Sequence, residues 1–293
     1  MAEALEHHYA VIEGVTLHWA AMGPASRLRN ARPPLVLLHG IADSHLSFHP
    51  VAQALARDRR VLMPDLPGCG LSGRPDASYA LDWVAHIIAC WLGVLGEPQV
   101  DIVGHSYGGG VLQMLLLECP ERIRRAVLVD AGGLGRGVGF WLRLGSLPRV
   151  VELWGQPFMA FGTRRSLGHG EGGAGHPDVA ALARMNALPG TARAFSRMVR
   201  DVIDWRGQTR MFDQRAGEIR EFPALAVFWG EDDKLIPVAQ GRAFAARMRG
   251  VSFRAFPRAG HYVHRDAPAA FVAALLSFLD AEEAGPAALQ AGE

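Results

Sequence analysis

Four short runs constrain the fold more than any other feature. Residues 35–38, 61–63, 100–103 and 126–129 are almost wholly apolar and only three or four residues long. They are too short for helices and lack the alternation of a half-exposed strand, so they read as strands buried on both faces. Between them lie stretches of helical period at 48–57, 79–95 and 107–118. Buried strands alternating with amphipathic helices predict an α/β fold with a mostly parallel sheet. Residues 9–22 alternate apolar and polar around Glu13-Gly14 and predict a β-hairpin ahead of it.

The alternation stops after Asp130. From Leu134 to about Gln208 there is no buried strand run. The segment instead carries Trp141, Leu142, Leu144, Trp154, Phe158, Met159 and Phe161, a glycine-rich stretch at 168–175 and a helix-like stretch at 178–204. Strand runs resume at 224–229 and 251–256, and 267–279 reads as a closing helix. The expected organisation is therefore a core of residues 1–133 and 209–283 interrupted by a helical cap at 134–208. The small-residue tail 284–293 is expected to fray.

Composition excludes several classes. A formal net charge of +1 over 293 residues lacks the basic excess of a nucleic-acid binder. With 49% hydrophobic residues the chain is not mainly disordered. Three widely spaced cysteines, Cys69, Cys90 and Cys119, do not suggest a disulfide framework. The segment Met1–His8 lacks the basic and apolar regions of a signal peptide, and no apolar run reaches the 18 or so residues of a membrane span. The expectation is a cytoplasmic protein.

The chemistry concentrates at Gly104-His105-Ser106-Tyr107-Gly108, a GxSxG pattern. It directly follows the strand run 100–103 and directly precedes the helical stretch 107–118. That strand–turn–helix setting is what a nucleophile elbow requires. Flanking glycines leave room for a tight turn, and the helix N-terminus brings backbone N–H groups and a positive dipole end beside the serine.

Taken with His39-Gly40-Ile41 after the first buried strand and Asp65-Leu66-Pro67-Gly68-Cys69-Gly70 after the second, this sequence resembles the α/β-hydrolase superfamily. Gly230-Glu231-Asp232-Asp233 and Gly260-His261 match that family's later motifs. The resemblance covers 34–133 and 223–279 and implies a Ser-Asp-His triad in that chain order. It assigns Ser106 as nucleophile, His261 as base and Asp233 as acid, with Asp130 at the end of the strand 126–129 as the rival acid. Of the other histidines after Ser106, His264 is expected at the surface or pocket rim, while His169 and His176 fall in the glycine-rich stretch. The family's oxyanion hole maps to the backbone N–H groups of Tyr107 and Ile41, with His39 bracing the second.

Other features read as bland. His45 and His49 are four apart, but no carboxylate or third histidine completes a metal set. The loop at 65–70 lacks the spacing and lysine of a phosphate loop. Trp141, Trp154 and Phe158, with Tyr262 beside the histidine, are candidates to line a substrate pocket.

The expected function is hydrolysis of carboxylic esters of small to medium apolar acyl groups through an acyl-enzyme, without cofactor or metal. Its partner is a small-molecule ester, with neither nucleic acid nor a membrane span. Ala131-Gly132-Gly133-Leu134-Gly135 resembles a segment of the meta-cleavage carbon–carbon hydrolases, with Arg193 or Arg200 available for a substrate carboxylate. Tyr262 departs from the Trp that those enzymes often carry. A ligand receptor retaining the triad is the remaining alternative.

Overall fold

The computed structural model describes residues 5–24, 32–147, 150–167, 177–219, 222–281 and 288–289. Eight strands form one sheet: β1 Glu6–Ile12, β2 Val15–Met22, β3 Leu35–Leu38, β4 Val61–Pro64, β5 Val100–His105, β6 Ile123–Val129, β7 Ala224–Gly230 and β8 Ser252–Phe256. Their order is β1-β2-β4-β3-β5-β6-β7-β8. The β1–β2 hairpin joins antiparallel through β4, and every later pairing is parallel. This is the α/β-hydrolase fold, a mostly parallel sheet flanked by helices.

The period-2 alternation of a strand divides the core in two. Val36, Leu38, Ile102 and Leu128 pack on one face with Trp91 of helix α2 (Leu81–Leu95) and Leu115 of helix α3 (Tyr107–Glu118). Leu35, Leu37, Val103, Val127 and Val129 pack on the other with Leu55, Phe271 and Leu275. Those residues come from helix α1 (His49–Leu55) and from Pro268–Asp280. Burial on both faces is why these strands read as continuous apolar runs.

Between β6 and β7 the described residues form five α-helices: α4 Phe140–Gly145, α5 Val150–Trp154, α6 Met159–Leu167, α7 Pro177–Asn186 and α8 Thr191–Val202. The stretch 178–204 is two helices instead of one, because Pro189-Gly190 intervenes and Gly190 takes φ +89°. Beyond β7 come α9 Val238–Arg247, α10 Val263–Asp266 and α11 Pro268–Asp280. Of the tail, Ala288–Leu289 is described and pairs antiparallel with Met248–Arg249. His169, His176 and the glycine-rich stretch 168–175 lie outside the described residues.

Strand β3 has β4 on one side and β5 on the other, so the loops after β3 and β5 leave in opposite directions. In an open parallel sheet the crevice at such a reversal is where ligands bind. The residues after β3 and β5 are those around Ile41 and Ser106.

Candidate active site

Ser106 occupies the turn between β5 and α3 at φ +54°, a conformation that costs a non-glycine residue strain. The chain is threaded too tightly there for side chains on its neighbours. A Cβ on Gly104 would stand 2.5 Å from the Gly108 carbonyl oxygen, and one on Gly108 would stand 2.4 Å from that of Leu38. The turn is tied down by Ser106 N–H donating to the Val129 carbonyl at 3.0 Å, and by Gly109 and Gly132 N–H donating to the Ser106 carbonyl at 3.0 and 3.2 Å.

The structure brings Ser106, His261 and Asp233 into one hydrogen-bonded line. His261 Nε2 lies 2.9 Å from Ser106 Oγ, and His261 Nδ1 lies 2.8 Å from Asp233 Oδ2. The other carboxylate oxygen of Asp233 accepts from the Leu235 and Ile236 N–H groups at 2.8 and 2.9 Å. Asp233 is thus oriented by its own turn after β7. Its neighbour Asp232 points out and is exposed.

Asp130 is placed differently. Its Oδ1 accepts from Gly230 N–H at 2.8 Å, and its Oδ2 is buried without a hydrogen-bond partner among the described residues. Burial, and then the charge of Asp233, push this carboxyl well above the usual range, which favours its neutral form.

The cavity in front of Ser106 is bordered by Ile41 and Tyr107, the residues whose N–H groups the sequence assigns to an oxyanion hole. His39 is buried; its Nδ1 donates to the Gly40 carbonyl at 2.7 Å, and its Nε2 accepts from Leu66 N–H at 3.0 Å. One proton on Nδ1 satisfies both bonds, and burial lowers the pKa of this imidazole accordingly. From Ser106 the cavity follows α3 past Gly110 to Gln113 and Met114. Val138, Leu142, Val199, Val202 and Ile203 cover it from the inserted segment, and Arg210 and Arg215 border it as well.

The aromatic candidates are not in this lining. Trp141, Trp154 and Phe158 are 77%, 74% and 68% exposed. On α4 it is Leu142 that turns inward, one residue and about 100° from Trp141. Tyr262 stands behind the base instead of in the cavity, its ring against His105 and His261. Nor do the two arginine candidates border the cavity. Arg193 donates to the Arg74 carbonyl, and Arg200 pairs with Glu152.

Two histidines have roles the sequence reading missed. His264, expected at the surface or rim, is fully buried, with Nε2 donating to Ser47 Oγ, which in turn donates to Asp43. His105, inside the GxSxG pattern itself, donates from Nε2 to the His261 carbonyl at 2.7 Å. Burial holds both imidazoles well below the usual histidine range. Nothing in the sequence marked His105 beyond its adjacency to Ser106.

A second polar cluster lies away from Ser106. His45 and His49 diverge: His49 pairs with Asp178 at 2.9 Å, while His45 joins His18 and Asp65 inside. Burial alone would raise the Asp65 carboxyl, but hydrogen bonds from His18 and His45 outweigh it and hold the group well below the usual range. Asp65 also accepts from the backbone N–H groups of His45 and Leu71 at 2.6 and 2.8 Å. Its acceptor capacity is therefore met by donors from β2, from the segment after β3 and from its own loop.

Comparison with known proteins agrees with this fold. Residues 33–268 match a family model described as the alpha/beta hydrolase fold. An uncharacterized protein of Mycobacterium tuberculosis is 33% identical over 275 residues, covering 88% of this chain and 79% of that protein. A 2-hydroxymuconate semialdehyde hydrolase of Pseudomonas sp. (strain CF600) is 30% identical over 264 residues, covering 84% of this chain and 86% of the relative. Among solved structures, the esterase RhEst1 from Rhodococcus sp. ECU1013 superposes with a TM-score of 0.72 at 22% identity, covering 97% of this chain and all of that one.

Proposed function

Since the chain belongs to the alpha/beta hydrolase family, we propose that it is a cytoplasmic serine hydrolase cleaving carboxylic esters of small to medium apolar acyl groups, with 134–208 as its cap. The observation that carries this reading is the unbroken line from Ser106 Oγ through His261 to Asp233, opening on a cavity with mainly apolar walls.

In this reading Ser106 attacks the ester carbonyl while His261 Nε2 takes the hydroxyl proton. Asp233 fixes the Nδ1–H tautomer and stabilises the imidazolium. The developing oxyanion is met by the N–H groups of Tyr107 and Ile41. His261 returns its proton to the departing alkoxide, and water then resolves the acyl-enzyme by the same route. These residues carry every step without a cofactor.

Chain length sets the acyl range. From Ser106 to Met114 the helix advances about 1.5 Å per residue, or roughly 12 Å, enough for about eight or nine methylenes. A series of p-nitrophenyl esters from acetate to palmitate, turned over by wild type and by Ser106→Ala, tests the reading. Turnover should peak at short to medium chains and vanish in the mutant. An enzyme inert on the whole series overturns it.

A second reading, carbon–carbon bond hydrolysis, is favoured by the 30% identity to a 2-hydroxymuconate semialdehyde hydrolase. It also has Arg210 and Arg215 at the cavity. Both guanidiniums already have carboxylate partners, Arg210 in Asp82 and Asp201 and Arg215 in Glu218. Turnover of 2-hydroxymuconate semialdehyde, with esters left intact, would select this reading. Tight binding of either compound without turnover would instead select a receptor.

A further inference from the structure

The segment from α5 into α6 is amphipathic the wrong way round for a helix in water. Trp154, Phe158 and Phe161 recur at i, i+4 and i+7, the spacing of one helical face, and all are about two-thirds exposed or more. Arg164 and Arg165 extend that exposed side by one more turn.

The inward side is the polar one. Gln156 donates to the Ala187 and Leu188 carbonyls at 3.1 and 2.9 Å and accepts from Ala192 N–H at 3.0 Å. Thr163 accepts from Asn186, whose amide also donates to the Ala42 carbonyl. These bonds lock the segment onto α7 and α8, and Asn186 of α7 in turn onto the loop after β3, so the aromatic side faces outward in the folded protein. A second aromatic group, Phe140, Trp141 and Trp205, also lies more than half exposed, with ring centroids 5.8 and 6.0 Å apart.

Charge distinguishes between partners for this surface. Residues 134–208 hold ten arginines against five acidic residues, a net +5 in a chain whose total is +1. The rest of the molecule is therefore at −4. A second copy docking through the same face would bring like charges together. An anionic lipid surface would instead attract them while Trp and Phe enter the headgroup region.

We propose that the outer face of α5–α6, with Trp154, Phe158 and Phe161 as its apolar contacts and Arg164 and Arg165 at its edge, docks on anionic lipid surfaces. Docking requires no catalysis. It would place the inserted segment, whose α4 and α8 residues Leu142 and Val199 cover the Ser106 cavity, beside the phase into which apolar molecules partition.

The test is cosedimentation of Ser106→Ala with phosphatidylglycerol vesicles and with phosphatidylcholine vesicles, alongside light scattering of the protein alone. The expected result is binding to phosphatidylglycerol that weakens with added salt. It should fall about tenfold or more when Trp154, Phe158 and Phe161 are all changed to Gln, with the melting temperature kept. Arg164→Gln with Arg165→Gln should reduce binding to phosphatidylglycerol and leave phosphatidylcholine unaffected. The proposal is overturned by absence of vesicle binding or by equal binding of the triple variant. It is overturned equally by a dimer that the triple variant converts to monomer, which would make the face a contact between copies.

Discussion

Asp130 and Asp233 stand just beyond strands β6 and β7, and their surroundings give them different hydrogen-bond partners. Asp233 accepts from two backbone N–H groups and bonds His261, which together fix its orientation. Asp130 has one backbone donor and deep burial, which favour the acid. Asp130→Asn should therefore be close to isosteric and keep turnover within about tenfold of wild type. Asp233→Asn should lower kcat by about 10³–10⁴. Ester kinetics on the two variants check this, and the reverse ranking would move the acid to Asp130. His261→Ala should lose turnover by at least as much as Asp233→Asn. His105 acts through His261, not on substrate: His105→Gln can keep a donor to the His261 carbonyl and should retain more kcat than His105→Ala, with KM similar in both.

At the scale of elements, the inserted helices put their aliphatic residues toward Ser106 and their largest aromatics outward. Leu142→Phe or Val199→Phe narrows the cavity and should shorten the preferred acyl chain in the p-nitrophenyl series. Trp154→Ala should leave that preference unchanged, because the ring faces solvent. The elbow is an element-scale constraint too. Gly104→Ala forces a methyl onto the Gly108 carbonyl and should cost about 1–3 kcal/mol or more in a urea titration, besides displacing Ser106.

For the whole molecule, three fully buried imidazoles set a pH dependence. His39, His105 and His264 have folded-state pKa values lowered by burial, so below about pH 6.5 the unfolded chain binds protons that the folded chain refuses. Their contribution is fully present above the unfolded pKa and is lost as pH falls below it. The loss is up to about 1.4 kcal/mol per pH unit for each histidine. Urea midpoints at pH 7.5 and 5.5 should fall accordingly. A flat profile would show that these groups are protonated in the folded state.

The alternation of buried runs with helical periods determined the sheet, because a strand covered on both faces must be apolar at every position. Gly104 and Gly108 marked the elbow in the sequence, because a Cβ at either position would strike backbone: the Gly108 carbonyl for the first and the Leu38 carbonyl for the second. Chain order and motif spacing likewise made Ser106, His261 and Asp233 legible as candidates. Tertiary structure alone decided whatever depends on contacts between distant segments. The partner of Asp130 is Gly230, a hundred residues away. The bond that ties His105 to His261 spans 156 positions. An aromatic residue in a helix has the same sequence signature whether its face meets the core or water. Trp141, Trp154 and Phe158 were therefore placed only by the packing of α4–α8, which turns Leu142 and Val199 inward and leaves the rings outside.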